Sequence, residues 1–185
     1  MATPKQLIDR LREDFDCSFN DEKIVFMINS LESRIATDVL RDTDVLKVVL
    51  SGKEDKIALD FDAARVLALA IDGRQIRQSS INFPCGYRIM GNDILLDFKP
   101  SGGEAMIEYI KMPTPFSQAD YEDRQLLLSD EFSEIYIYHI LSREALLFDD
   151  IERLNNYSII YSAALKSLAS SRRTKSSGFN FANIW

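Results

Sequence analysis

Two stretches of helical periodicity bracket a middle stretch with strand periodicity, and this order limits the possible folds more than any other feature. At the front, "TPKQLIDRLREDF" sets Leu7, Ile8, Leu11 and Phe15 on one face, the spacing of an amphipathic helix. Thr3 suits the N-cap, Pro4 the first helical position, and Gln6 completes a capping box. "NDEKIVFMINSLESRIATDVL" repeats the pattern. Asn20 is its cap, Phe19 can staple onto Ile24, and Ile24, Met27, Ile28, Leu31, Ile35, Ala36 and Val39 form the apolar face. At the far end, Ser129 is placed to cap "DEFSEIYIYHILSREALLF", with Asp130 and Glu131 in the first turn. "IERLNNYSIIYSAALKSLA" then holds Ile151, Leu154, Tyr157, Tyr161, Ala164, Leu165 and Leu168 at helical spacing. A short junction at Asp149–Asp150 makes these last two helices antiparallel neighbours.

Between the pairs the period changes. "VLKVVLS" and "KIALDF" are short strands split by "GKED". "RVLALAIDGRQIRQ" is a hairpin turning at Asp72–Gly73, and "YRIMGNDILLDF" is another turning at Gly91–Asn92. "AMIEYIKM" is a further strand, closed off by Pro113 and Pro115. Roughly six antiparallel strands are expected. Neither helix pair can bury its apolar face alone, so the pairs must pack on each other and the strands form an insert. The fold class is α+β: a bundle of N-terminal and C-terminal helix pairs, a central antiparallel β lobe, and an extended C-terminal arm. The expected bounds are 1–44 with 126–170 for the bundle and 45–113 for the β lobe. A loop follows over 114–125, and the arm spans 171–185.

Chemistry by elimination points away from catalysis. His139 is the one histidine and lies inside a helix between Tyr138 and Ile140, where packing is its commonest use. Cys85 sits in a turn, "FPCGY", and with Cys17 makes neither a CxxC spacing nor a disulfide framework. No GxxxxGK[ST], GxGxxG or HExxH occurs, and "SGGE" at 101–104 joins two strands without a helix N-terminus for a phosphate. The acidic pairs Asp42–Asp44, Asp60–Asp62 and Asp149–Asp150 lack a calcium-loop pattern and suit caps and turns. Neither a cofactor, a metal nor an enzyme activity is expected. No apolar run reaches the ~18 residues of a membrane span, and no secretory signal opens the chain, so synthesis and assembly in a cytoplasm are expected. Tyr136 and Tyr138 lie about 200° apart on a helix. One must face outward, at a subunit interface or the surface.

Charge is distributed unevenly. The formal net charge is −7. Beyond Glu152 there are five cations (Arg153, Lys166, Arg172, Arg173, Lys175) and no acid, so the part up to Glu152 carries −7 less +5, or −12. An acidic body with a basic end is a poor generic DNA coat. The end itself, "SSRRTKSSGFNFANIW", has too little apolar surface to order alone. It still carries Phe179, Phe181, Ile184 and Trp185, which are costly to expose. Phe179 and Phe181 alternate at period two, as an extended segment seeking a partner groove or sheet edge would. Arg172, Arg173 and Lys175 are its basic stem, and Phe179, Phe181, Ile184 and Trp185 are its anchors.

Taken together, "FNDEKIVFMINSLESRIATDVL", "ARVLALAIDGRQI…GYRIMGNDILLDFKPSGGEAMIEYIKMP" and "LLLSDEFSEIYIYHILSREALLFDDIERLNNYSIIYSAALKSLA" resemble the opening helix, strand region and closing helix pair of tailed-bacteriophage head-to-tail adaptor proteins. The likeness spans about residues 3–170 and rests on pattern and order. It implies a structural virion protein at the head–tail junction. Such a protein self-assembles into a ring, usually twelve-membered, under the portal and offers a platform to a tail or nozzle protein. DNA passes through the lumen without specific binding, and the C-terminal arm docks on the portal. An acidic body would suit a lumen that a duplex must slide through. The alternative is a regulatory interaction module whose basic-aromatic arm binds nucleic acid or a protein partner.

Overall fold

The computed structural model describes residues 2–59, 63–80, 83 and 85–176. They divide into two compact units. One is helical and runs up to Ile35 and again from Pro113; the other spans Ala36–Met112.

The helical unit begins with α1, Pro4–Glu13, whose capping box is complete. Thr3 Oγ1 accepts from the Gln6 N–H at 3.2 Å, and Gln6 Oε1 accepts from the Thr3 N–H at 3.0 Å. Pro4, Leu7, Ile8 and Leu11 are buried on its inner face, and Phe15 beyond its end is half-buried. The turn to α2, Asp21–Ile35, is held by the Arg12 guanidinium, which donates to the Cys17 and Phe19 carbonyls and meets Asp21 at 3.0 Å. Asn20 caps α2 by accepting from the Lys23 N–H at 2.9 Å. The closing pair is α3, Glu134–Leu147, and α4, Ile151–Ser176.

Several boundaries differ from the sequence expectation: α2 ends at Ile35, so Ala36–Leu40 falls in the second unit, and residues 113–125 belong with the helices. Asp130–Phe132 forms a 3-10 turn, so α3 starts after Ser133 rather than after Ser129. The i→i+3 bonds from Phe132 N–H to Ser129 O and from Ser133 N–H to Asp130 O tighten this first turn. At the other end, α4 continues to Ser176, so 171–176 is helix and not extended arm. Arginine and lysine are good helix formers, cations favour a helix C-terminus, and no Gly or Pro intervenes before Gly178. The 114–125 loop is also partly structured, with a 3-10 turn at Gln118–Asp120 boxed by Ser117 and Asp120.

The second unit opens with a π turn, Ala36–Leu40, in which the Arg41 N–H reaches the Ala36 carbonyl at 2.9 Å. Among the described residues it holds seven strands: β1 Thr43–Leu50, β2 Lys56–Ala58, β3 Ala63–Ile71, β4 Arg74–Ile76, β5 Tyr87–Met90, β6 Asp93–Leu96 and β7 Gly103–Lys111. They form two antiparallel sheets, ordered β1-β7-β3-β4 and β2-β6-β5. Inward residues of both, among them Leu50, Ile57, Leu69, Ile94, Leu96 and Ile107, share one apolar cluster. Asp72 and Gly73 both have positive φ, as a type I′ turn requires, whereas Gly91–Asn92 has positive φ at Gly91 only, the type II′ pattern. The Asp72 carboxylate accepts from the Glu104 N–H at 2.9 Å and fills the space a Cβ on Gly103 would occupy. With φ at 118°, Gly103 is glycine for both reasons.

Candidate interaction surface

The helical unit is organised around Glu32, the one charged residue buried among those described, at 0% exposure. It follows Ile28 by four positions, so the stripe that buries Ile24, Ile28, Leu31 and Ile35 carries it inward. Its Oε2 accepts from Arg124 Nη2 at 2.8 Å. Its Oε1 accepts from the Leu127 N–H at 2.7 Å and from the Tyr136 hydroxyl at 2.9 Å. That hydroxyl in turn accepts from the Leu128 N–H at 3.2 Å. Burial first, and then the neighbouring Glu32 charge, push the Tyr136 phenol well above its ordinary pKa. Arg124 also donates to the Thr114 carbonyl and lies 4.4 Å from the Phe116 ring centroid. Asn29 pairs twice with the Phe116 backbone, at 2.8 and 3.1 Å. A buried carboxylate is tolerated only when paired and fully bonded. Here it straps residues 113–128 to α2 and fixes where α3 begins.

From that anchor α3 runs inward and α4 does not. Ile135, Tyr136, Ile137, Ile140, Leu141 and Ala145 of α3 are buried, whereas among the described residues of α4 only Leu168 is. The corner between them projects Leu146, Leu147, Phe148 and Ile151, which are 53% to 64% exposed, and Ile159 further along α4 reaches 68%. Asp149, at φ 56°, makes the sharp bend, and Asp150 caps α4 by accepting from the Arg153 N–H at 3.0 Å. Beside the corner lies a pocket of about 170 Å³ with Phe15, Phe148 and Tyr157 as aromatic walls. Asp16, Glu144 and Asp150 give it carboxylates, and Arg153 lines it as well. Glu144 accepts from the Ser18 N–H and hydroxyl at 2.5 and 2.6 Å.

The tyrosine pair divides only in part, since neither ring is fully exposed. Tyr136 is fully buried, while Tyr138 is half-buried between Phe15 and Tyr157, at 6.3 and 5.9 Å between ring centroids. His139 packs against Tyr161 at 5.4 Å. Burial, reinforced by Arg143 and Arg34, lowers the His139 pKa to about 4. A neutral, packed imidazole of this kind is a structural element of the α3–α4 contact. Cys85 is exposed and Cys17 buried, and both are free.

Of the residues singled out in the sequence, Arg172 lies half-buried on α4, and Arg173 and Lys175 belong to the same helix. Phe179, Phe181, Ile184 and Trp185 lie outside the described residues, as do Asp60 and Asp62. Glu32 escaped the sequence reading. Its one signal was a charge at a position where the 3–4 spacing of α2 demands an apolar residue. The exposed corner escaped too, since Leu146, Leu147 and Phe148 read there simply as the end of an apolar helix.

Among the described residues no helix is long and apolar enough to cross a membrane. A family model described as "SU10 adaptor protein" matches residues 2–180. No curated protein matches the chain.

Proposed function

The chain belongs to the SU10 adaptor protein family, a family of phage head-to-tail adaptors, and on that premise we propose how it works in the virion. Subunits associate laterally into a ring, usually twelve-membered in such adaptors, beneath the portal. The ring lets DNA pass and offers its far side to a tail or nozzle protein. The segment carrying Arg172, Arg173, Lys175, Phe179, Phe181, Ile184 and Trp185 docks on the portal. The role is structural rather than catalytic.

The observation that supports this most is the apolar surface of the closing helix pair. Leu146, Leu147, Phe148, Ile151 and Ile159 stand exposed on a helix and corner that the described residues leave largely uncovered. Large apolar side chains gathered in the open at one corner are characteristic of an assembly surface. Ring contacts are heterologous, so this patch would meet a different face of the next subunit. The net charge of −7 suits a lumen that must not grip phosphates.

Capture on immobilised portal tests the reading. The full chain is expected to bind, and the triple substitution of Phe179, Phe181 and Trp185 to Ala to lose binding while remaining folded. Binding through these apolar anchors should survive added salt. A steep fall with salt would instead favour phosphate contacts by the basic stem, and undiminished capture of the triple variant would remove the segment from the interface.

A further inference from the structure

The pocket beside the α3–α4 corner has a chemistry that selects its occupant. Its walls are aromatic, from Phe15, Phe148 and Tyr157, and its polar groups are mainly the carboxylates of Asp16, Glu144 and Asp150. Arg153, also lining it, is engaged with Asp150 at 3.3 Å, which leaves a negative balance. A flat aromatic side chain that donates and does not accept hydrogen bonds fits such walls, and indole is that side chain. A cationic flanking segment would complement the acids.

The chain itself contains such a segment. Its sole tryptophan, Trp185, follows Arg172, Arg173 and Lys175 with no acidic residue between. A subunit cannot readily supply its own. Tyr157 at the pocket lies nineteen residues before the end of α4 at Ser176, or about 28 Å back along the helix axis at 1.5 Å per residue. From Ser176, Phe179 reaches at most ~10 Å, Phe181 ~17 Å and Trp185 ~31 Å at full extension. Only Trp185, stretched flat along α4, would come level with Tyr157, while Arg153 at the same pocket lies four residues, or about 6 Å, further back along the helix.

We propose that this pocket receives Trp185 of a second copy of the chain. The Glu144 or Asp16 carboxylate accepts the indole N–H, and the basic stem lies near the acidic corner at Asp149–Asp150. The proposal rests on the reading of residues 171–185 as a docking segment, and gives that segment a berth on another subunit while the portal is absent.

Because Trp185 is the only tryptophan, its fluorescence reports the berth directly in the full chain without portal. Across a dilution series the emission of the wild-type protein is expected to move to shorter wavelength as concentration rises, in step with self-association measured by sedimentation. Phe148→Ser and Asp16→Lys change exposed side chains on the pocket, the first removing an aromatic wall and the second replacing an acceptor with a cation, and should hold emission at its solvent-exposed position at every concentration. Emission that never shifts, that is shifted independently of concentration, or that shifts equally in both variants would overturn the proposal. Portal capture measures the other reading with a different partner, so either can fail alone.

Discussion

α3 and α4 are adjacent and antiparallel, and both carry apolar residues at helical spacing, α3 more densely, yet the fold uses them in opposite ways. Six side chains of α3 are buried, and its Tyr136 hydroxyl closes the polar network on Glu32. α4 is almost twice as long and buries Leu168 alone among its described residues. Its apolar positions run around the helix rather than along one stripe, with Ile159 and Ile160 turned outward while Tyr157 and Tyr161 touch α3 residues. Two neighbouring helices therefore show two kinds of burial. One is satisfied within the subunit, and the other is left over for another molecule.

The strongest way to break the comparison is to attack the anchor of α3. Glu32→Ala strands Arg124, the Leu127 N–H and the Tyr136 hydroxyl, and removing one partner of a buried pair costs about 3–5 kcal/mol. Urea denaturation should show this loss. A change below about 1 kcal/mol would mean that the network is not closed as described. Next in size is Ile140→Ala, in the buried face of α3, expected to cost about 2–5 kcal/mol by the same measurement.

The contact between the two helices has its own signature in pH. The His139 pKa is about 4 in the folded chain, against about 6.5 for an unperturbed histidine. Between those values the unfolded chain binds the extra proton, so stability is full above about pH 6.5 and falls as pH drops toward 4. The lost amount approaches about 3 kcal/mol. His139→Phe should flatten that part of the stability–pH curve; an unchanged slope would assign the loss to carboxylates elsewhere. The smallest expected effect is the most telling. Ile159→Ala on α4 should alter subunit stability by no more than about 0.5 kcal/mol, as surface changes do, yet weaken self-association in sedimentation. Should it instead destabilise the subunit like Ile140→Ala, α4 would belong to the same core as α3 and the contrast would disappear.

Much of this was legible in the chain. Thr3, Pro4 and Gln6 announced α1 because a capping box satisfies backbone donors locally, without help from distant residues. Asp72–Gly73 announced its hairpin for a similar reason, as positive φ at both positions is a local demand. The start of α3 was misplaced by four residues because Ser129 and Ser133 are equally good caps on paper. The choice fell to 3-10 bonding at Asp130–Phe132. Of the docking segment, sequence supplied the composition, and the fold moved its beginning by continuing α4 to Ser176.

What the sequence determined alone is the order of elements, their caps and turns, the acidic body with its basic end, and the pattern that marks the family. These are properties of neighbours within a few residues, or of composition. What tertiary structure decided is which apolar face is spent inside the subunit and which is left over. It also drew Glu32 into the core, because Arg124, Leu127 and Tyr136 come from some ninety to a hundred residues away to satisfy it. Burial is a relation between distant segments, and periodicity specifies that a face must be covered without saying by what.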